Sequence, residues 1–194
     1  MKRGRRELFG ALRRSATMTS SPLVRPAVPD DIPALGRLGA LLVAVHHEFD
    51  RKRFFAATDG TAAGYGDFLG TRIGRRDQVL LVAELEGQVV GYAWGAIEGT
   101  DFQALRGPAA LLYDLIVDPE ARGQGIGPAL LDAALAAFDR LGAPRTLLFA
   151  AAANREAQRL FARTGFRETM VEMTREAGAI QSEPRATPSP DRDR

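Results

Sequence analysis

The chain has 194 residues, of which 45% are hydrophobic and 26% are charged, a balance that fits one globular domain with tails. It has no cysteine, which excludes disulfides, thiolate nucleophiles and cysteine-based zinc sites. The formal net charge is +2, but residues 1–17 hold six basic side chains against Glu7 alone. That leader therefore carries +5 and the remaining chain −3, which argues against a nucleic-acid-binding surface on the folded part.

Neither a metal site nor a membrane segment is predicted. The only histidines, His46 and His47, are adjacent and bring no further ligands with them. No apolar stretch approaches the roughly 20 residues that span a bilayer, and the short apolar run in the leader is flanked by arginines. We expect a cytoplasmic protein with no membrane and no nucleic-acid partner.

The composition predicts three segments. Residues 1–20 are expected to be a basic, disordered leader, with a surface-binding or targeting stretch as the alternative and Met18 as an alternative start. Residues 21–176 are expected to form a single domain. Residues 177–194 are rich in proline, serine and charge and are expected to be a disordered tail.

Apolar periodicity and turn residues predict the elements in chain order. Asp30 and Asp31 are expected to cap the first helix, with Pro33 in its first turn. Gly142 is expected to end the long helix. The expected elements are strand 23–27, a helix over 32–45, helix 65–73, strands 79–85, 89–97 and 109–117, a long helix from about 128, strand 146–151, helix 155–164 and a last strand 166–173. This order predicts an α/β (α+β) fold with a largely antiparallel sheet flanked by helices.

A glycine-rich turn joins the strand over 109–117 to the long helix. Its sequence is Arg122-Gly123-Gln124-Gly125-Ile126-Gly127. Glycines let a backbone turn tightly and approach a ligand, and the unpaired first-turn amides of a helix favour an anion such as a pyrophosphate. An ordinary surface turn is the alternative. A dinucleotide-binding Rossmann motif is disfavoured because the glycine spacing differs and the next strand lacks an acidic residue.

The residues around this turn carry a family resemblance. Residues 114–131 resemble the acetyl-CoA-binding motif of the GNAT superfamily of N-acetyltransferases. Asn154, Ala157, Leu160, Phe161 and the pair Gly165-Phe166 are similar to a second motif of that superfamily. The resemblance covers roughly residues 23–176. It implies a sheet that splays between the strand before the turn and the strand after the long helix.

The same resemblance implies acetyl-CoA as cosubstrate and assigns its contacts. The turn would hold the pyrophosphate through backbone amides, and the preceding strand would pair its backbone with the pantetheine arm. Asn154 would lie near that arm, with a helix-capping role as the alternative or as a second role. The residues so assigned are Leu115, Ile116, Val117, Arg122, Gly123, Gln124, Gly125, Ile126, Gly127, Asn154 and Phe161.

Three residues are candidates for acid–base chemistry. Asp114 lies in an otherwise apolar strand, where burial would raise its pKa, and some GNAT amine acetyltransferases place a carboxylate there. It is the candidate that binds or deprotonates the amine, with a structural carboxylate as the alternative. Glu98 and Tyr113 are the other two candidates. Phe161 stands where many GNAT enzymes have a tyrosine thought to protonate the thiolate, so no general acid is assigned.

The acceptor is less defined than the donor. The segment 46–55, together with Tyr65 and Phe68, mixes aromatic and charged residues and is expected to face an amphipathic or amino-acid-like amine. We predict transfer of an acetyl group to an amine of a small molecule or peptide. The alternatives are a protein lysine or N-terminal acetyltransferase and a catalytically weak acyl-CoA sensor. GNAT proteins are often dimers, which leaves a homodimer open.

Overall fold

The computed structural model describes residues 22–177, and the predictions for the leader and for the tail beyond residue 177 lie outside that range. The chain divides into two compact units, one running to Ala153 and the other beginning at Asn154. The predicted single domain over 21–176 stays a prediction. In chain order the elements are β1 (Leu23–Pro26), α1 (Ile32–Phe49), α2 (Thr61–Gly70), β2 (Gln78–Leu85), β3 (Gln88–Glu98), β4 (Ala109–Val117), α3 (Ile126–Arg140), β5 (Thr146–Leu148) and α4 (Arg155–Arg163).

The first unit is built on a five-stranded sheet in the order β1-β2-β3-β4-β5. The first four strands are antiparallel neighbours, and β5 pairs parallel to β4. This confirms the predicted mixed, largely antiparallel sheet. The β4–β5 register covers only Ala110↔Thr146 to Leu112↔Leu148, while β4 continues to Val117. The two strands therefore part after three residues, in agreement with the predicted splay.

Helices α1 and α2 pack on one face of the sheet and against each other through small residues. A Cβ added at Gly36 would lie 2.2 Å from the carbonyl oxygen of Ala62, and one at Gly39 would lie 2.2 Å from the ring of Tyr65. The close approach of these helices thus depends on glycine. Leu35, Leu38 and other α1 side chains join a core that includes Tyr92 of β3 and Ile116 of β4, whereas α3 packs on the opposite face.

Helix α3 lies against glycines of β3. A Cβ at Gly95 would meet the Phe138 ring at 2.5 Å, and one at Gly91 would meet the Leu130 side chain at 3.1 Å. Phe138, Leu130, Leu131 and Ala134 are fully buried and form the apolar face of this helix. The helix ends as predicted at Gly142 (φ +79°), since the amide of Ala143 donates to Phe138 and that of Gly142 to Asp139.

Three expectations about local structure are wrong in detail. Residues 166–173 form no strand, and Met170, Val171 and Met173 are at least 78% exposed, so alternation of apolar residues did not produce pairing. Strand β5 stops at Leu148 rather than at residue 151. Asp31 occupies the N-cap position of α1, but its carboxylate accepts from Arg25 and the Val28 amide instead of capping the helix.

Candidate active site

The turn between β4 and α3 is held open by left-handed backbone. A short 3-10 turn, Pro119–Ala121, follows β4 and is capped by the Asp118 carboxylate, which accepts from the Glu120 amide at 3.2 Å. Gly123 and Gly125 both have φ near +77°, a region that L-residues with a Cβ avoid. These two glycines turn the chain so that α3 can begin at Ile126.

The amides of this turn lack partners in the protein. Within residues 22–177, no protein acceptor bonds the backbone N–H groups of 123–127, and the first donor of the helix is Ala129 to Gly125 at 3.1 Å. Pro128 has no N–H. The positive end of the α3 dipole adds to these donors, so the turn is suited to hold an anionic group.

Within the described part of the chain, the edge of β4 beside this turn has no neighbouring strand. The Asp118 amide donates to Val90 of β3, so by strand alternation Val117 and Leu115 direct their backbone groups to the other edge. Arg122 Nε donates to the Val117 carbonyl at 3.4 Å from that side. No further strand of residues 22–177 covers this edge beyond Leu112. An extended ligand chain could therefore add to it as a strand would.

A bulge in β4 changes the direction of its side chains. The register runs from Gly95↔Leu112 to Trp94↔Asp114, so Tyr113 is the extra residue. Asp114 is only 7% exposed, while Tyr113 remains partly accessible. The bulge thus delivers both predicted residues to neighbouring positions at the start of the open edge.

Asp114 is bound by two tyrosine hydroxyls. Tyr65 of α2 and Tyr92 of β3 both donate to Asp114 Oδ2, at 2.8 Å and 3.0 Å. Burial raises the pKa of Asp114 above its usual value, and the two hydroxyl donors act in the opposite direction. The predicted burial and raised pKa are therefore present. Burial also raises the pKa values of Tyr65 and Tyr92, so both stay protonated donors at neutral pH.

A connected group of four aromatic side chains begins at this carboxylate, and we call Tyr65, Phe68, Trp94 and Tyr113 the aromatic cluster. Tyr65 and Phe68 meet edge to face at 5.9 Å, as do Phe68 and Trp94 at 5.1 Å. Trp94 and Tyr113 stack with centroids 4.5 Å apart. The cluster therefore extends without a break from the buried carboxylate to the exposed side of the bulge.

Glu98, the third predicted acid–base residue, is engaged by its neighbours. The Tyr113 hydroxyl donates to its carboxylate, and Arg106 forms an ion pair with it. Arg106 also lies 3.5 Å from Asp101, which closes the loop between β3 and β4. Glu98 therefore orients Tyr113, whereas the Asp114 carboxylate accepts from tyrosine hydroxyls and forms no ion pair within residues 22–177.

In the segment 46–55, both histidine rings bond backbone carbonyls. His46 Nδ1 donates to the Leu42 carbonyl at 2.9 Å, and His47 Nδ1 donates to the Phe54 carbonyl at 2.8 Å. Both rings therefore hold the end of α1 and the following turn together. Residues 22–177 contain no group of three or more potential metal-ligating side chains.

The second unit holds the remaining predicted residues. The Asn154 side chain accepts from the Ala157 amide at 3.1 Å and so caps α4, in agreement with the capping alternative. Phe161 contacts Phe166 with centroids 5.9 Å apart, across a helix end in which Gly165 has φ +93°. This is the apolar contact that accompanies such a C-terminus, and it gives Phe161 a packing role.

Sequence reasoning missed Tyr92, Trp94 and Arg106. All three lie in or beside the β3–β4 hairpin, where they were treated as strand or loop residues. Tyr92 is fully buried, and a buried tyrosine hydroxyl needs a hydrogen-bond partner. One sequence signal could have identified Tyr92: it lies in the strand next to β4, in which Asp114 is the only acidic residue.

An amide-lined turn, an open strand edge and a buried carboxylate thus lie around one strand, β4. The chain matches the model of the acetyltransferase (GNAT) family over residues 33–166, more than half its length. It therefore belongs to the acetyltransferase (GNAT) family. No helix among residues 22–177 has the length and apolarity needed to cross a membrane.

Known proteins similar to this chain include enzymes and solved structures of that family. The mycothiol acetyltransferase of Thermobispora bispora is 36% identical over 96 residues, which are 47% of this chain and 31% of that protein. The match thus spans about a third of that relative's length. A GCN5-related N-acetyltransferase from Ralstonia eutropha JMP134 has a TM-score of 0.60 at 25% identity, over 81% of this chain and 99% of the other. An aminoglycoside acetyltransferase from an uncultured soil metagenomic sample, in complex with sisomicin, has a TM-score of 0.57 at 23% identity, over 80% and 96%.

Proposed function

We propose that this protein is an N-acetyltransferase that moves an acetyl group from acetyl-CoA directly to an amine. The observation that carries the proposal is the turn 122–127, whose backbone amides lack protein partners, placed beside the uncovered edge of β4. Family membership supports the reaction class. The printed name of the Ralstonia eutropha structure, a GCN5-related N-acetyltransferase, describes that protein and supports an amine acceptor here.

The residues present fit the donor. Amides of Gly123 to Gly127 would bind the pyrophosphate, and a Cβ at Gly123 or Gly125 would force a strained left-handed backbone. The backbone of Leu115 and Val117 would bind the pantetheine arm as an added strand. Acetyl-CoA supplies an activated thioester, and an amide donor from β4 would stabilise the oxyanion formed on attack.

Asp114 is the proposed base. An amine arrives as an ammonium ion and must lose a proton before it can attack. A carboxylate buried among aromatic rings attracts that cation, and its raised pKa makes it a better proton acceptor than an ordinary aspartate. Hydroxyl donors from Tyr65 and Tyr92 hold Oδ2 in position. Asp114 would therefore bind the ammonium group and remove its proton.

The leaving thiolate has no assigned proton donor. Phe161 has no hydroxyl and is packed against Phe166. Tyr113 is the partly exposed tyrosine of the aromatic cluster, and its hydroxyl donates to Glu98. We propose that Tyr113 or water protonates the thiolate. The lack of a hydroxyl at position 161 also favours the second candidate function, a catalytically weak acyl-CoA sensor.

Titration calorimetry with acetyl-CoA and with CoA, followed by thiol release on a panel of amines, tests the proposal. We expect saturable binding of both, and release of free thiol that depends on the amine. Absence of any heat with either ligand would refute the donor assignment. Tight binding without turnover on small amines, peptides or protein lysines would favour the sensor instead.

A further inference from the structure

Arg72 has an unexplained polar atom beside the aromatic cluster. It lies in the turn after α2, where its amide donates to the Leu69 carbonyl, and its side chain is half-buried. Its Nε is the only fully buried side-chain nitrogen or oxygen in residues 22–177 that has no hydrogen-bond partner. Buried polar atoms are almost always paired, so this unpaired Nε marks the Arg72 guanidinium as a group that the surrounding side chains do not satisfy.

The Arg72 guanidinium is positioned by ring faces and not by a carboxylate. Its central carbon lies 4.6 Å from the Phe68 centroid and 5.8 Å from that of Trp94. No aspartate or glutamate of residues 22–177 lies within 4 Å of it, and the nearby Asp77 pairs with Arg75. Stacking leaves the edge formed by the two terminal NH2 groups of a guanidinium able to bind a carboxylate with two parallel hydrogen bonds.

The aromatic cluster connects Arg72 to Asp114. Trp94 is the residue directly opposite Asp114 in the β3–β4 register, and it also stacks on Tyr113. Phe68, under Arg72, contacts Tyr65, whose hydroxyl donates to Asp114. One apolar surface thus has a cation at one end and a buried carboxylate at the other.

We propose that Arg72 binds an anionic group of the acceptor, so that the preferred acceptors are amines whose carboxylate is separated from the amine by an apolar spacer, such as ω-amino acids or short peptides. The inference rests on the proposed function, since it assigns the acceptor of that same site. The amine end faces Asp114, the apolar part of the acceptor contacts the aromatic cluster, and the carboxylate bonds the terminal NH2 edge of Arg72. The two charged ends of the site then select for both groups at once.

Matched acceptors test this assignment in steady-state kinetics. The pairs are dipeptides with their C-terminal amides, and ω-amino acids with alkylamines of equal chain length. In wild type we expect lower KM for the carboxylate member of the preferred pair. Arg72→Gln should raise that KM about 10- to 100-fold, the loss of a charge-assisted hydrogen bond, with kcat changed little. It should leave the amide and the plain amine nearly unaffected.

Arg76→Gln is the control, because it removes one positive charge from the same exposed turn without touching the aromatic cluster. Arg72→Lys keeps the charge but not the planar fork, and we expect an intermediate KM. If Arg72→Gln raises KM equally for carboxylates and their amides, Arg72 only packs the cluster and the inference is refuted. Equal wild-type KM within every pair would refute it as well, while leaving the acetyltransferase proposal intact.

A binding measurement separates the two proposals. Trp94 is the only tryptophan of the chain, so its fluorescence reports on ligands at the cluster. In the CoA-bound protein we expect saturable quenching or enhancement by the carboxylate acceptor, lost in Arg72→Gln and retained in Arg76→Gln. That result without any turnover would support the anion site and refute the enzyme. No difference between carboxylate and amide ligands would overturn the anion site, whatever the activity.

Discussion

The turn 118–127 and the aromatic cluster lie at opposite ends of β4's open edge and are built in different ways. The turn offers backbone amides, fixed by two left-handed glycines and by a cap from Asp118. The cluster offers side chains from α2, β3 and β4, held by ring contacts and by two hydroxyls on one carboxylate. The first depends on backbone conformation and the second on side-chain identity.

This difference predicts that donor binding and acceptor chemistry respond to different kinds of substitution. A site made of backbone amides binds any ligand of suitable charge and shape and tolerates changes of side chain. A site made of side chains from distant segments changes its chemistry with each substitution. We therefore expect donor binding to respond to the backbone of residues 123–127, and acceptor chemistry to respond to the side chains around Asp114.

The largest expected effect is that of Asp114→Asn. Loss of a positioned general base costs about 10²- to 10⁴-fold, so kcat/KM for the amine should fall by that order while the affinity for acetyl-CoA changes little. The amide keeps the side-chain volume and can still accept from Tyr65 or Tyr92. Steady-state kinetics and donor calorimetry on the same preparation measure both quantities.

Asp132→Asn is a suitable control, because Asp132 is an exposed carboxylate on α3 and its loss should leave kcat/KM unchanged. Unchanged wild-type kcat/KM across pH in Asp114→Asn would show that the carboxylate is structural. A parallel loss of donor affinity would show that the two regions are not separate.

The second-largest expected effect is that of Gly125→Val on the affinity for acetyl-CoA. Gly125→Val forces a β-branched residue to φ near +77°, where a left-handed residue costs about 1–2 kcal/mol. We expect acetyl-CoA to bind about 5- to 30-fold more weakly, by calorimetry, with the KM of the amine unchanged at saturating donor.

Gly64→Ala provides the comparison for that change. Gly64 lies within α2 and its added Cβ meets nothing within 4 Å, so alanine should stabilise the helix and leave the donor affinity as in wild type. Equal donor affinity in Gly125→Val and wild type would mean that the turn does not hold the pyrophosphate.

Features set by residues close together in the chain were predictable from the sequence, and features set by contacts between distant segments were not. The turn, the Gly142 helix end and the burial of Asp114 follow from residues close together in the chain, and all three were predicted. Tyr92 as a partner of Asp114 depends on sheet register, which local patterns do not fix. The predicted strand 166–173 failed for a related reason, because alternation shows that a segment can pair but not that a partner is present.

A third prediction concerns the pH dependence of the acceptor half. If Asp114 must be ionised to act, kcat/KM should rise with pH through an apparent pKa above the usual aspartate range. Tyr65→Phe removes a hydroxyl that lowers this pKa, so the acid limb should move to higher pH with its plateau largely kept. The pH profile of Asp114→Asn should lack this acid limb. If the acid limb of Tyr65→Phe stays at the wild-type pH, the Tyr65 hydroxyl does not lower the pKa of Asp114.

Stability supplies an independent measure of the same pKa. Because the pKa of Asp114 is higher in the folded than in the unfolded state, the folded protein binds more protons between the two values. The free energy of unfolding of wild type should therefore fall, relative to Asp114→Asn, as pH rises through that window. Denaturant titrations of both proteins at several pH values measure this free-energy difference. If the folded protein stabilised the ionised carboxylate instead, the difference would increase with pH.

The smallest expected effect is that of removing the Asn154 side chain. It tests whether Asn154 both caps α4 and contributes to donor binding. Asn154→Ala removes the cap of α4 and should cost about 1 kcal/mol, seen as faster hydrogen exchange of the amides at the start of that helix. Asn154→Asp keeps a capping oxygen and should keep the protection. If donor affinity falls only in Asn154→Ala, the residue acts by holding the helix. If it falls equally in Asn154→Asp, where the cap is intact, the amide nitrogen of the Asn154 side chain is itself required. A side chain would then contribute to donor binding in addition to the backbone amides of residues 123–127.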